Sequence, residues 1–182
     1  PTDASDPIKA TIDLSGFMAA GDTDGKVEAA TMIKVNDFLF VALQRLNNFV
    51  VENDALLVVI DTTTNTIVDV DDSTPEVDAI TLTGRNPQFM LYNDDLGKIV
   101  VSETGAYFDG TDGGIETVDP VSWEAEGFVI NEGTLGGVNT SAATTMSCAK
   151  FLGTPPPIIS KPVSSRSSLI LVSSRKSFAE ST

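Results

Sequence analysis

The chain has 182 residues, 41% of them hydrophobic, and a net charge of −15 from 26 acidic and 11 basic side chains. This is a globular composition, long enough to bury a core, and so acidic a surface repels phosphate backbones, which argues against nucleic acid as a partner. The absence of histidine and the single cysteine, Cys148, exclude within this chain Ser-His-Asp and Cys-His nucleophiles, His-ligated zinc or haem, and an internal disulfide.

The sequence opens on Pro1 without a charged-then-apolar leader, which suggests either a signal segment already removed or a fragment boundary. No run of about 18 apolar residues occurs, so no transmembrane helix is expected. Ile12-Asp13-Leu14-Ser15-Gly16 reads as the end of a preceding strand unit. The loop Asp22-Thr23-Asp24-Gly25 with Glu28 alternates oxygen ligands before a glycine. That pattern suits calcium, so Asp22, Asp24 and Glu28 are candidate metal ligands, although a solvated turn explains them as well. No other cofactor is expected.

Short β-segments follow. Met32 to Val35 is a strand, Asn36-Asp37 a turn, and Phe38 to Leu43 a continuous apolar run of the kind buried on both faces. Leu56 to Ile60 is a second such run, Asp61 to Asn65 a turn, and Thr66 to Val70 a fourth strand. Hairpin-length connections make this a four-stranded meander. The acidic loop Asp69, Asp71, Asp72, Glu76 and Asp78 comes next, read as solvated, and Ile80-Thr81-Leu82-Thr83-Gly84 echoes the segment at Ile12.

The pattern then recurs in Gln88 to Tyr92, Lys98 to Ser102, Gly114 to Val118 and Glu126 to Ile130. The stretch Asp109 to Gly114 marks a tight turn before the third strand. Leu39-Phe40-Val41 matches Ile99-Val100-Val101 at an offset of 60 residues, and Ile60-Asp61 matches Val118-Asp119 at an offset of 58. A four-strand unit repeating at about this period is the signature of a β-propeller blade, in which neighbouring blades cover each other's faces. The competing architecture, an ordinary β-sandwich, has no reason to repeat at that spacing.

The expected fold is therefore all-β: a β-propeller fragment of four-stranded meander blades, about two full and others partial. Residues 1–140 form the partial propeller, with blades at approximately 28–80 and 86–132. Residues 141–182 form an irregular Ser/Pro-rich basic tail, disordered or out of frame. Of the 26 acids only Glu180 lies beyond residue 140, while 11 serines crowd the last 42 residues against 5 in the first 140.

Asp61 and Asp119 recur at one repeat position, which favours turn capping over catalysis. Gln44 and Arg45 follow an apolar strand, and Arg45 reads as a surface ion-pair partner. Trp123 reads as packing between blades rather than as a sugar platform. Cys148 has no acid–base partner to activate it. No nucleotide-binding glycine loop is present, and no catalytic residue is assigned.

The words Phe40-Val41-Ala42-Leu43-Gln44-Arg45-Leu46, Val58-Val59-Ile60-Asp61-Thr62, Thr66-Ile67-Val68 and Leu82-Thr83-Gly84-Arg85-Asn86-Pro87 resemble the YVTN-type, surface-layer-like β-propellers of bacteria. Lys98-Ile99-Val100-Val101 and Thr117-Val118-Asp119-Pro120 supply the second copy. The resemblance covers residues 25–140 and implies seven blades and export to the periplasm or cell surface, often as a lipoprotein. It also implies a non-enzymatic binding or scaffolding role toward a protein or cell-surface polymer. The alternative is a fragment of a lactonase-like or quinoprotein-like propeller enzyme whose catalytic residues lie in missing blades.

Overall fold

The computed structural model describes residues 10–136; the Ser-rich tail and Cys148 lie outside them. Nine strands form two antiparallel sheets. The first holds β1 (Ala29–Val35), β2 (Phe38–Leu43), β3 (Leu56–Asp61) and β4 (Thr66–Val68) in that order, with β5 (Ile80–Thr81) also paired to β3. The second runs β6 (Pro87–Asn93), β7 (Lys98–Glu103), β8 (Gly114–Asp119) and β9 (Glu124–Asn131). The all-β meander expected from the sequence is the fold observed.

Two elements differ from the expectation: Ile12 to Gly16, read as the end of a strand unit, forms no strand and runs into a short 3-10 helix at Ser15–Phe17, and the first sheet's last strand is broken. The fourth strand of the first sheet stops at Val68 rather than Val70, and its place along β3 is completed by β5. Asp69 causes the break. Its carboxylate accepts the N–H groups of Asp71 (3.2 Å) and Asp78 (3.0 Å), closing the acidic loop from both sides. A side chain that satisfies backbone donors locally offers the chain an alternative to the sheet ladder.

The hairpin turns share one design. Asn65, Gly97 and Trp123 each donate their N–H to the carbonyl four residues back, of Asp61, Asn93 and Asp119. Each also has left-handed backbone and is the last residue of a four-residue loop, 62–65, 94–97 or 120–123. Asp61 accepts from Thr63 and Thr64, and Asp119 from Val121 and Ser122. The recurrent aspartates are thus turn caps. The repeat reaches even an irregularity: a bulge interrupts β1–β2 between Ala29 and Thr31, and β6–β7 between Pro87 and Phe89, 58 residues on.

The core shows how the sheets stack. Phe40, Ala42, Leu57 and Val59 of the first sheet pack against Met90, Ile99, Val101 and Val118 of the second, with Ile80 and Leu82 between. β1 lies beside β6. The other face of the first sheet, Val41, Leu43, Val58 and Ile60, is covered by Ile12, Leu14, Phe17 and Val27. Burying each such side chain contributes roughly 1.5–3 kcal/mol.

The two interfaces use equivalent faces in a fixed sense. Ile99, Val101 and Val118, which meet the first sheet, correspond to Leu39, Val41 and Ile60, which face the N-terminal segment. Val100, Ile115 and Leu91, on the far face of the second sheet, correspond to Phe40, Leu57 and Ile33, which face the second sheet. Ile12 and Leu14 stand to the first sheet as Ile80 and Leu82 stand to the second. Packing is head-to-tail, front against back, and not face-to-face around a two-fold axis.

Candidate functional site

The connections β2–β3 (44–55) and β7–β8 (104–113) emerge at the same end of the stack, joined there by the N-terminal loop around residues 22–28. Two features of this end stand out. Phe49 is 77% exposed and Phe108 is 106% exposed, and both have left-handed backbone at φ 67°. A bulky residue at positive φ is an outlier that the surrounding structure must enforce. Val50 and Tyr107 are exposed beside them.

The enforcement is local: Asn47 and Val50 exchange N–H···O bonds around Asn48-Phe49, and Asp109 N–H donates to the Ala106 carbonyl around Phe108. A separate set of hydrogen bonds ties the bases of the two loops together. Asn86 is fully buried in the link between the sheets, also with positive φ. Its Oδ1 accepts from Gln44 Nε2 (2.8 Å) and Gln88 Nε2 (2.7 Å), and its Nδ2 donates to the Gly105 carbonyl (3.1 Å). The Asn86 carbonyl accepts Thr104 N–H and the Arg85 carbonyl accepts Gly105 N–H. One amide therefore ties the base of the first loop to the base of the second. Gln44 is a strut in that hub, and Arg45 is not an ion-pair partner: its guanidinium donates to the Asp54 carbonyl (2.9 Å), closing its own loop.

Asp22, Asp24 and Glu28 lie at this end. Asp22 accepts N–H groups from Asp24 and Gly25, Asp24 from Lys26 and Asn48, and Glu28 from Leu46 (3.0 Å). Burial, then Asp24 and Asp22, push the Glu28 carboxyl above its ordinary value. The structure thus brings the three candidates together as caps: Asp22 closes the N-terminal loop on itself, while Asp24 and Glu28 fasten that loop to the β2–β3 loop. Among the described residues no group of three His, Cys, Asp or Glu is placed to hold a metal ion.

Beneath the second loop lie three fully buried glutamates, Glu103, Glu116 and Glu132. Glu116 accepts Thr83 N–H on both carboxylate oxygens (3.0 and 3.1 Å). Glu103 hydrogen-bonds Glu116 and accepts Gly84 N–H; burial first, and the Glu116 charge second, push its carboxyl up to about 10. Glu103 therefore carries a proton at neutral pH. Glu132 donates its N–H to the Gly113 carbonyl at the loop's far end. Gly84 and Gly113 are required here: a Cβ on Gly84 would overlap the Glu103 carboxyl and the Phe128 ring, and one on Gly113 the Glu132 carboxyl.

The opposite, turn-bearing end holds a cleft of about 650 Å³, lined by Asp71, Asp78, Trp123 and Glu124 among others. Trp123 meets Phe38 of the first sheet edge-on at 5.7 Å, so its ring packs across the sheet interface as expected. Nearby, Lys98 pairs with Asp119 (2.7 Å) and Glu126 (2.6 Å).

Neither the exposed phenylalanines nor the buried glutamates were singled out from the sequence. The signal available for the first was an aromatic midway through each of two equivalent loops, Phe49 and Phe108. For the second it was period-two alternation along β7 and β8, which places Glu103 and Glu116 on the inward face.

Fold and site define an all-β protein of antiparallel meanders stacked head-to-tail, with a hydrogen-bonded platform of loops at one end. No family model matches the chain, nor does any curated protein or solved structure. Among the described residues no helix is long and apolar enough to cross a membrane.

Proposed function

We propose that the chain is part of a β-propeller of the YVTN-type, surface-layer-like class. It acts as a non-enzymatic binding and scaffolding module in the periplasm or at the cell surface of a bacterium. Head-to-tail packing supports the propeller reading: each sheet offers its back to the sheet before it and its front to the next, as blades around an axis must. The observation that carries the binding role is the loop platform. Phenylalanines held in costly backbone geometry at the tips of equivalent loops, whose bases Asn86 ties together, contribute little to the fold and form a preorganised contact surface.

The sealed Glu103–Glu116 pair is the feature an enzyme reading would start from. Both side chains are closed to solvent, and they accept the N–H groups of Thr83 and Gly84, which supports a structural reading of the pair.

The test is selection of a random displayed peptide library on the immobilised full chain. Enriched peptides should lose binding to Phe49→Asn/Phe108→Asn. Peptides that bind this variant undiminished, or no enrichment at all, overturn the binding assignment.

A further inference from the structure

The loop platform also carries information about what it binds. Around Phe49 and Phe108 the exposed charges of the two loops are negative: Glu52 and Asp54 on the first, Asp109 on the second. The one basic residue of these loops, Arg45, is turned to the Asp54 carbonyl. Phe49 with Val50, and Tyr107 with Phe108, thus form two apolar knobs in a surround where exposed carboxylates outnumber the one exposed base at this end, Lys26 of the N-terminal loop. The faces of exposed aromatic rings attract ammonium and guanidinium groups, and adjacent carboxylates reinforce that attraction. Apolar side chains of the same partner would seat on Val50 and the ring edges.

Resting on the binding role proposed above, we infer that the platform recognises a polypeptide segment of a partner protein in which lysine or arginine alternates with apolar residues. The segment lies across both loop tips, so that it touches Phe49 and Phe108 at once. Asn86 ties the bases of the two loops together, and a pre-set arrangement of the loops lowers the ordering cost of binding. Anionic lipid and nucleic acid are disfavoured by the same carboxylates that favour a basic peptide.

The experiment uses the full chain against synthetic peptides in which Lys or Arg alternates with Leu, and the same peptides with Glu replacing every basic residue. Phosphatidylglycerol vesicles and double-stranded DNA are the comparison surfaces. The basic peptides should bind, the acidic ones should not, and added salt should weaken the complex. Phe49→Asn with Phe108→Asn should reduce affinity about tenfold or more. Asparagine tolerates the left-handed backbone, so this variant should remain folded, with an unchanged near-ultraviolet spectrum. Each single variant should lose part of the affinity.

Equal binding of basic and acidic peptides, preference for vesicles or DNA, or unaltered binding by the folded double variant each overturns the inference. If the library of the preceding section yields peptides that need both phenylalanines but carry acidic or neutral sequences, the binding module stands and the basic-segment assignment falls. If no library peptide depends on the loops, both fall.

Discussion

The two sheets place different chemistry in the same architecture. Leu43 ends β2 and Val58 sits within β3; 60 and 58 residues on, the same positions hold Glu103 and Glu116. All four side chains are buried. In the first sheet they add to an aliphatic cluster with Phe17 and Ile60. In the second they form a buried carboxyl pair that accepts the backbone N–H groups of Thr83 and Gly84. A stack of sheets requires complementary shape and satisfied polar groups, not a particular residue type. The second sheet uses that freedom to anchor the link from which Asn86 and the loop platform follow.

The largest expected effect compares two glycines at the equivalent positions of Ile12–Gly16 and Ile80–Gly84. A Cβ on Gly16 meets nothing within 4 Å, whereas one on Gly84 overlaps Glu103 and Phe128. Gly84→Val should cost about 3 kcal/mol or more through overpacking, and Gly16→Ala less than about 0.5 kcal/mol. Denaturant midpoints of the two variants measure the contrast, and equal midpoints would show that Gly84 is no more tightly packed than Gly16.

Next comes the turn at Trp123, which occupies the left-handed position that Asn65 holds in the first sheet. Trp123→Asn relieves backbone strain but loses the contact with Phe38 and the sheet interface. A net destabilisation of about 1–2 kcal/mol is expected from the lost packing of this half-buried ring. Thermal unfolding checks this, and a stabilised variant would mean that strain outweighs packing here.

The carboxyl pair predicts a pH dependence. The folded state holds a proton on Glu103 that the unfolded chain releases above about 4.5. Stability from this group is therefore fully present below about pH 4.5 and is lost progressively as pH rises toward 10. Asp61 and Asp119 act with the opposite sign, because turn hydrogen bonds, and for Asp119 Lys98, hold their carboxyls below the ordinary value of 3.8. Their contribution is present above that value and lost on acidification, so between about pH 5 and 9 the Glu103 slope stands apart. Glu103→Gln keeps a donor toward Glu116 without a proton to lose. It should flatten the slope and be more stable than the parent at pH 8, read from urea midpoints across the range. An unchanged slope would separate Glu103 from the effect.

The smallest effect belongs to the turn caps. Asp119→Ala should destabilise more than Asp119→Asn, because asparagine keeps an acceptor for Val121 and Ser122 and loses only the charge toward Lys98. At high salt the Asp119→Asn difference should vanish.

Local pattern made the strands legible. Phe38 to Leu43 and Leu56 to Ile60 are apolar enough to be buried on both faces, and Asp61 and Asp119 mark turns because a short carboxylate caps the N–H groups that follow it. The repeat offsets of 58 and 60 residues disclosed the meander unit, since equivalent strands carry the same alternation. Three matters depended on contacts distant in sequence and were decided only by tertiary structure. Asp69 pairs with Asp78 to split the fourth strand, Thr83 and Gly84 fasten the carboxyls of Glu116 and Glu103, and Asn86 joins Gln44 to Gly105. Hydrophobic periodicity reports which face of a strand is inward. It does not report which distant backbone group a buried carboxylate will meet, an outcome set by the packing of one sheet on the next, nor that turns closed between Asn47 and Val50 and between Ala106 and Asp109 will hold Phe49 and Phe108 outward at positive φ.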